Sequence, residues 1–155
     1  MYLRYSNPTI THVTISNNTA ISCGGMILTS SDPTLNHVTI SNNTGEVIGG
    51  MKLISSDPTL NHVTISNNTG EVIGGMELTS SNPTLNHVTI SNNTHIPEFL
   101  RGTIILHESN PTITNSIIWN NSQESIVCVW EEEPIITYSN IEGGLGAFCS
   151  GASEG

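Results

Sequence analysis

Two consecutive segments of this chain are almost identical. Residues 32–56 read DPTLNHVTISNNTGEVIGGMKLISS and residues 57–81 read DPTLNHVTISNNTGEVIGGMELTSS, so they differ at two of 25 positions. The same register extends over residues 7–31 and 82–109, and a more diverged copy begins at Asn110. A period of this length indicates a repeat architecture, in which each unit buries its apolar face against its neighbours and not alone.

Each unit contains two short patterns that alternate apolar and polar residues. Aliphatic residues stand two apart in Met51–Leu53 and near both ends of Leu35–Ile40, which is typical of strands. Asn42–Gly45 and Gly49–Gly50 lie between them and favour turns. One proline marks each unit, at steps of 25, 25, 25, 28 and 23 residues: Pro8, Pro33, Pro58, Pro83, Pro111 and Pro134. The pattern predicts short strands and no helices.

Aliphatic residues recur at the same position of successive units. The first column is Ile10, Leu35, Leu60, Leu85, Ile113 and Ile136, and the second is Ile15, Ile40, Ile65, Ile90, Ile118 and Ile141. A third column is Met26, Met51, Met76, Ile104 and Val127, followed two residues later by Leu28, Leu53, Leu78, Leu106 and Val129. If successive units pair as parallel strands, these columns form one continuous core.

Four stretches carry a resemblance to a known group: NPTITHVTISNNT, the GGM steps, NPTITNSIIWNNS at 110–122 and ITYSNIEGG at 136–144. Over about residues 1–142 the chain resembles the right-handed parallel β-helix repeat proteins of the pectate-lyase-like superfamily, especially the bacterial surface or secreted ones. The resemblance implies an all-β solenoid of five to six rungs of about 25 residues. The rungs start near residues 7, 32, 57, 82, 110 and 133, and residues 143–155 form a Gly-rich C-terminal tail or cap.

Composition narrows the classes of partner. Three basic and 13 acidic side chains give a formal charge of -10, which repels phosphate backbones and anionic lipids, so we expect no nucleic-acid partner. No apolar stretch approaches the roughly 20 residues of a spanning helix, so we expect no membrane insertion. The first residues, MYLR, do not have the pattern of a signal peptide. The compartment is therefore left open, although full-length relatives are expected to be secreted or attached to the cell surface.

Asparagine and histidine also form columns. In the superfamily that the chain resembles, one asparagine column is commonly an internal ladder of hydrogen-bonded side-chain amides. Two neighbouring columns of this chain are candidates for such a ladder. The first is Asn17, Asn42, Asn67, Asn92 and Asn120, and the second is Asn18, Asn43, Asn68, Asn93 and Asn121. The histidines are His12, His37, His62 and His87. The fifth and sixth rungs have Asn115 and Tyr138 at that position, which favours a stacked structural bend over a metal site. The NNT and NNS strings also match glycosylation acceptors.

Carboxylates one rung apart are candidates for calcium. Asp32 lies one rung from Asp57, and Glu46 one rung from Glu71. Asp before Pro is also ordinary turn chemistry, and each column holds few acids, so we predict no cofactor and leave only weak calcium binding open.

The chain offers no residue set for the reactions of the superfamily. Its lyases need clustered acidic calcium ligands with a basic proton acceptor, and its hydrolases need grouped aspartates. This chain has only Arg4, Lys52 and Arg101 as cations, and both aspartates occupy turns. We therefore predict no catalytic residue. The alternative is a degenerate polysaccharide lyase or hydrolase, for which the insertion around 101–107 is the place to look.

Polar and aromatic surface residues suggest a binding role. Rows of threonine and serine face outward at Thr14 and Ser16 and at their equivalents in the next three rungs, which resembles a carbohydrate-binding or, less favourably, an ice-binding surface. The fifth rung breaks these rows with Ile117 and Trp119. Trp119 and Tyr138 form a candidate glycan platform, against the alternative that an aromatic residue covers the last rung.

The three cysteines and the first rung complete the expectations. Cys128 is aligned with the outward column of Lys52; it either bridges to Cys149 or stays free, and Cys23 is an apolar turn residue. Residues 1–6 align with the second strand of a rung, so the first rung is expected to be uncovered. We predict self-association of two copies through this N-terminal rung, with a fragment of a longer protein as the alternative. The sequence as a whole predicts a non-catalytic solenoid module that acts as a structural or glycan-contacting scaffold.

Overall fold

The chain forms a solenoid of about five turns in which the strands of the described residues pair in parallel. The structure, a computed structural model, describes residues 1–95, 102–121, 125–130, 132–143 and 149. These residues form 22 strands and no helix, so none of them lies in a helix that could cross a membrane. Successive rungs add one strand to each of several parallel sheets, as the repeat predicts.

Four sheets run along the stack. Sheet A contains β1 (Tyr2–Arg4), β5 (Met26–Thr29), β9 (Met51–Ile54), β13 (Met76–Thr79), β17 (Ile104–His107) and β20 (Ile126–Cys128). Sheet B contains β2 (Thr9–Thr11), β6 (Thr34–Asn36), β10 (Thr59–Asn61), β14 (Thr84–Asn86), β18 (Thr112–Thr114) and β21 (Ile135–Thr137). Sheet C contains β3 (Thr14–Ser16), β7 (Thr39–Ser41), β11 (Thr64–Ser66), β15 (Thr89–Ser91), β19 (Ile117–Trp119) and β22 (Asn140–Ile141). Sheet D contains β4 (Thr19–Ala20), β8 (Thr44–Gly45), β12 (Thr69–Gly70) and β16 (Thr94–His95).

The aliphatic columns form the core that the sequence predicts. Leu35 pairs with Leu60 in sheet B, and Ile40 pairs with Ile65 in sheet C, in the register of the repeat. These side chains are fully buried. Because each strand alternates buried and outward residues, every rung contributes a few aliphatic side chains to one shared interior.

One predicted register is wrong. In the last strand of sheet A, Ile126 pairs with Ile104 and Cys128 with Leu106. Val127 therefore lies on the same side of the sheet as Ile105, in a second apolar cluster outside the main core. Cys128 is therefore buried in the core, not aligned with Lys52 on the outer surface. Its inward position allows the disulfide to Cys149, which was one of the two alternatives. The remainder of the predicted tail, 144–148 and 150–155, lies outside the described residues.

Left-handed residues turn the chain at three corners of each of the first five rungs. The corner between sheets A and B has φ of 47° to 51° at Tyr5, Ser30, Ser55, Ser80 and Glu108. The corner between sheets B and C has φ of 50° to 55° at His12, His37, His62, His87, Asn115 and Tyr138, and the corner after sheet C has 54° to 58° at Asn17, Asn42, Asn67, Asn92 and Asn120. Asparagine and histidine are enriched among non-glycine residues in this conformation, which gives both columns a structural reason.

Two side-chain ladders bond buried corners from rung to rung. The hydroxyl oxygen of Ser56 accepts the backbone N–H of Ser31 at 3.0 Å, and Ser81 repeats the contact with Ser56. The buried asparagine ladder follows sheet C. These ladders satisfy backbone groups that the tight corners would leave unpaired. The repeat does not by itself reveal the serine ladder, because serine is equally common on the outer surface.

Candidate functional site

The outer face of sheet A carries a charged cluster where the repeats diverge. The Glu77 carboxylate lies in one column with Lys52, and Nζ of Lys52 is 2.6 Å from its Oε2. Its other oxygen, Oε1, is 3.8 Å from Nε2 of His107, which pairs with Thr79 at the next position along the strands. The Glu77 side chain is only 16% exposed, so a charged pair is held close to the sheet surface. These contacts exist because the two near-identical repeats differ here, lysine against glutamate.

A tryptophan lies directly beside this cluster. The ring of Trp130 meets the ring of His107 edge to face, with centroids 5.9 Å apart, and 55% of Trp130 is exposed. The buried carboxylate of Glu132 accepts the backbone N–H of Trp130 at 2.9 Å and that of Glu108 at 3.0 Å. Glu108 itself accepts a hydrogen bond from the Ser80 hydroxyl at 3.1 Å. The indole is thus exposed while its backbone is fixed to the preceding rung.

Two shallow cavities adjoin the indole. The first has a volume of about 320 Å³ and is lined by Glu77, Thr79, His107, Glu108 and Trp130. The second has a volume of about 340 Å³ and is lined by Glu108, Asn110, Trp130 and Glu132. Trp130 and Glu108 belong to both. An exposed aromatic ring between two shallow cavities of mixed polarity offers an apolar face for stacking, and the side chains beside it offer several groups for hydrogen bonds. We refer to these two cavities together as the Trp130 site.

The fold and its repeats match a known family. The family model described as the right-handed beta helix region matches residues 1–94, which is more than half of the 155 residues. The chain belongs to the right-handed β-helix family. No curated protein matches it, and no solved structure does. The family assignment confirms the predicted fold class, while the bacterial surface type stays a prediction.

The β-helix places the predicted glycan platform on another face. Trp119 points outward from sheet C and is 45% exposed, and Tyr138 lies at the corner between sheets B and C and is 80% exposed. The two rings are in different columns, and the described part of the chain shows no ring contact between them. Neither lines one of the cavities described above. Their role in binding stays a prediction.

The histidine column forms a stack at a corner of the β-helix. The rings of His12 and His37 are 5.0 Å apart, and the next two ring pairs, which continue through His62 to His87, are 4.8 Å apart, all nearly parallel. The lone pairs of an imidazole lie in the ring plane, so parallel rings in a stack do not point their nitrogens at a shared metal ion. The geometry supports the structural interpretation of this column.

The continuous asparagine ladder is the second of the two candidate columns. Asn68 is fully buried; its amide donates to Oδ1 of Asn93 and to the backbone oxygen of Ile40, both at 3.0 Å. Its Oδ1 accepts from the backbone and the side chain of Asn43. The first column, represented by Asn67, is exposed and occupies the left-handed corner. The stacking of asparagine side chains is therefore confirmed, and the internal ladder is the column of Asn18, Asn43, Asn68, Asn93 and Asn121.

The aspartates of the calcium hypothesis are used by the backbone of the next rung. Oδ1 of Asp32 accepts the N–H of Asp57 at 2.7 Å, and Oδ1 of Asp57 accepts the N–H of Asn82 at 2.6 Å. Asn7 makes the same contact to Asp32 in the first rung, so an amide serves equally well. This column is a corner ladder. Weak calcium binding there stays a prediction.

Glu46 and Glu71 are exposed and line a groove beside sheet D. The groove has a volume of about 340 Å³ and is lined by Thr19, Ala20, Ile21, Thr44, Gly45, Glu46, Thr69, Gly70 and Glu71. Within the described ranges, no three His, Cys, Asp or Glu side chains are grouped to hold a metal ion. Calcium binding by these two glutamates is likewise untested.

Sequence reasoning missed the Trp130 site. The predicted register of β20 was shifted by one residue. In the observed register Trp130 is level with Glu108, which the shifted register does not show. Sequence reasoning searched the insertion before His107, of which Arg101 lies outside the described residues. A usable signal was present: the chain has two tryptophans, and Trp130 stands at the shortest proline step, next to acidic residues.

Proposed function

We propose that this β-helix is a non-catalytic scaffold that contacts polysaccharide through the Trp130 site. The observation that carries the proposal is an exposed indole, held by Glu132, between two shallow cavities that also contain carboxylate, hydroxyl and amide groups. Sugar rings present apolar C–H faces and hydroxyl edges, and an indole flanked by carboxylate and hydroxyl groups is complementary to both.

A rigid support favours such a role. A binding site is more selective when its residues are held by packing and by supporting hydrogen bonds. Sheet A provides the packing through the fully buried Leu106, and Glu132 fixes the loop that carries Trp130. The ligand would therefore meet a surface that needs little rearrangement.

The non-catalytic part of the proposal rests on how the acidic groups are used. Asp32, Asp57 and Glu132 accept backbone hydrogen bonds, and Glu77 is paired with Lys52. Carboxylates in these roles support the stack and are poorly available as general acids or bases.

A glycan array with the whole chain and a pair of tryptophan variants tests the proposal. We expect binding to polysaccharide fragments that Trp130→Ala reduces by about tenfold or more, since stacking on an aromatic ring contributes about 1–3 kcal/mol. Trp119→Ala is the matched control and should leave the affinity unchanged. Loss of binding in Trp119→Ala alone would transfer the site to the predicted platform, and no binding to any glycan would overturn the proposal. Release of shorter products from the bound polymer would overturn its non-catalytic part.

A further inference from the structure

The charges around Trp130 specify the kind of sugar. We propose that the Trp130 site selects sugars that carry a free, protonated amine over neutral sugars and uronic acids. This inference rests on the proposed function, because it assumes that the site holds a glycan.

The site has an excess of negative charge. Glu77, Glu108 and Glu132 line its two cavities. Among the described residues, Lys52 is the one lysine or arginine that contacts any of them, and the imidazole of His107 lies 3.8 Å from Glu77. That ammonium is already paired with Glu77 at 2.6 Å. Glu108 is exposed and receives only the Ser80 hydroxyl as a side-chain partner in the part of the chain that the structure describes. The formal charge of -10 for the whole chain adds to the local field.

A protonated amine would gain two favourable interactions here. Cations are attracted to the face of an indole, which is the strongest of the aromatic side chains in this respect. Glu108 lines both cavities, so a sugar unit on either side of Trp130 can bring its amine toward the same carboxylate. A uronic acid would place a like charge against Glu108 and Glu77, which disfavours binding.

The cavity walls favour a sugar over a basic peptide. Thr79 contributes a hydroxyl to one cavity and Asn110 contributes an amide to the other. These groups can bond to the hydroxyls that flank the amine on a sugar ring, whereas the ammonium of a lysine side chain is separated from the nearest backbone polar group by a four-carbon stem. Two cavities that share one aromatic wall also suit consecutive units of a polymer better than a single charged side chain.

Isothermal titration with four ligands of equal length tests the inference. The ligands are a glucosamine oligomer, its fully N-acetylated form, a galacturonic acid oligomer and an oligolysine peptide, at a pH at which the amines are protonated. We expect the glucosamine oligomer to bind about tenfold tighter than the acetylated one, with an affinity that falls as salt is added. The uronic acid oligomer and the peptide should bind more weakly than either sugar.

Two glutamate variants connect the preference to the site. Glu108→Gln keeps the size of the side chain and should reduce the preference for the free amine to about threefold or less, because the negative charge of the exposed carboxylate is lost. Glu46→Gln removes an exposed carboxylate on the sheet D groove and should leave the preference intact. A circular dichroism spectrum identical to that of the parent chain shows that each variant is folded.

The outcomes separate the two proposals. Equal affinity for the free and acetylated oligomers, both lost in Trp130→Ala, would overturn the amine preference and leave the glycan-binding function standing. Tighter binding of the uronic acid oligomer, or of the peptide, would also overturn the preference. Binding of none of the sugars would overturn both proposals. A preference that survives Glu108→Gln, or that salt does not weaken, would contradict the assigned mechanism.

Discussion

The side-chain amide of Asn68 donates a hydrogen bond to Oδ1 of Asn93 at 3.0 Å, inside the stack where both residues are buried. The backbone N–H of Asn68 donates to the same oxygen, also at 3.0 Å. One acceptor atom thus serves two donors of the preceding rung, and each asparagine of the ladder from Asn43 to Asn121 is both a donor and an acceptor. Removal of a single member leaves partners unpaired on both sides.

Asn68→Ala should destabilise the protein by about 3 kcal/mol, because it leaves buried groups of Asn43 and the oxygen of Ile40 without partners. Urea unfolding followed by circular dichroism measures the change. Asn67→Ala is the matched control: this residue is exposed and loses only the tolerance of asparagine for φ near 55°, which costs about 1 kcal/mol. Equal effects of the two variants would contradict the internal ladder.

Gly50→Ala should strongly destabilise the stack, by about 3 kcal/mol, because of a close approach between rungs. A Cβ at Gly50 would lie 2.3 Å from the backbone oxygen of Gly75 and 3.0 Å from Cγ2 of Ile65. The oxygen belongs to the next rung and cannot move without opening the strand pairing. Thermal unfolding is the measurement.

Gly143→Ala provides the comparison for that experiment. Gly143 has φ of 74°, and no atom of the described residues lies within 4 Å of an added Cβ, so the strain is in the backbone conformation, at about 1 kcal/mol. If Gly50→Ala were as mild as Gly143→Ala, the spacing between these rungs would be wider than described.

The buried thiol of Cys23 should be protected in the folded protein. Burial raises the pKa of the Cys23 thiol above its ordinary value of 9.0, and the residue is only 6% exposed. We expect no reaction with iodoacetamide in the native state and one alkylated thiol after denaturation, because Cys128 and Cys149 form a disulfide. Mass spectrometry measures both, and rapid labelling of the native protein would contradict the burial.

The raised pKa of Cys23 also predicts that the protein becomes less stable at alkaline pH. Because the folded-state pKa of Cys23 is raised, the stabilisation is fully present below the ordinary pKa and is lost as the pH rises above 9.0. Cys23→Val places an apolar side chain in the column of Ile48 and Ile73. The variant has no thiol at this position, so its free energy of unfolding should fall less at alkaline pH than that of the parent chain. A steeper alkaline loss in the variant than in the parent chain would speak against it.

Much of the fold could be predicted because the period places equivalent residues above one another. Leu35 and Leu60 must be neighbours once the 25-residue register is accepted, and burial of one implies burial of the other. The last rung was harder, because Ile126, Val127 and Cys128 are all apolar and both registers give an acceptable core. What separates them is the partner of Cys128, the distant Cys149, which no alternation pattern contains.

The candidate site was harder to predict than the core for a related reason. Repetition identifies what supports the stack, whereas Trp130 occurs once and occupies a corner that serine holds in earlier rungs, as at Ser80. Its neighbours Glu108 and Glu77 come from two different rungs. Such a cluster becomes visible only when the lateral positions of the rungs are known.

Strand pairing within each sheet joins neighbouring rungs only, and this has a consequence for the history of the molecule. A duplication of 25 codons, inserted in frame, would add one rung. The two faces of the new rung would be the same as those of the original, so they would pair with the rungs on either side. The near identity of residues 32–56 and 57–81 is what a recent event of this kind leaves behind. Such a chain can therefore lengthen without a new interface. The two copies differ by lysine against glutamate at an outward position, which shows that the outer surface can diverge while the buried residues are kept.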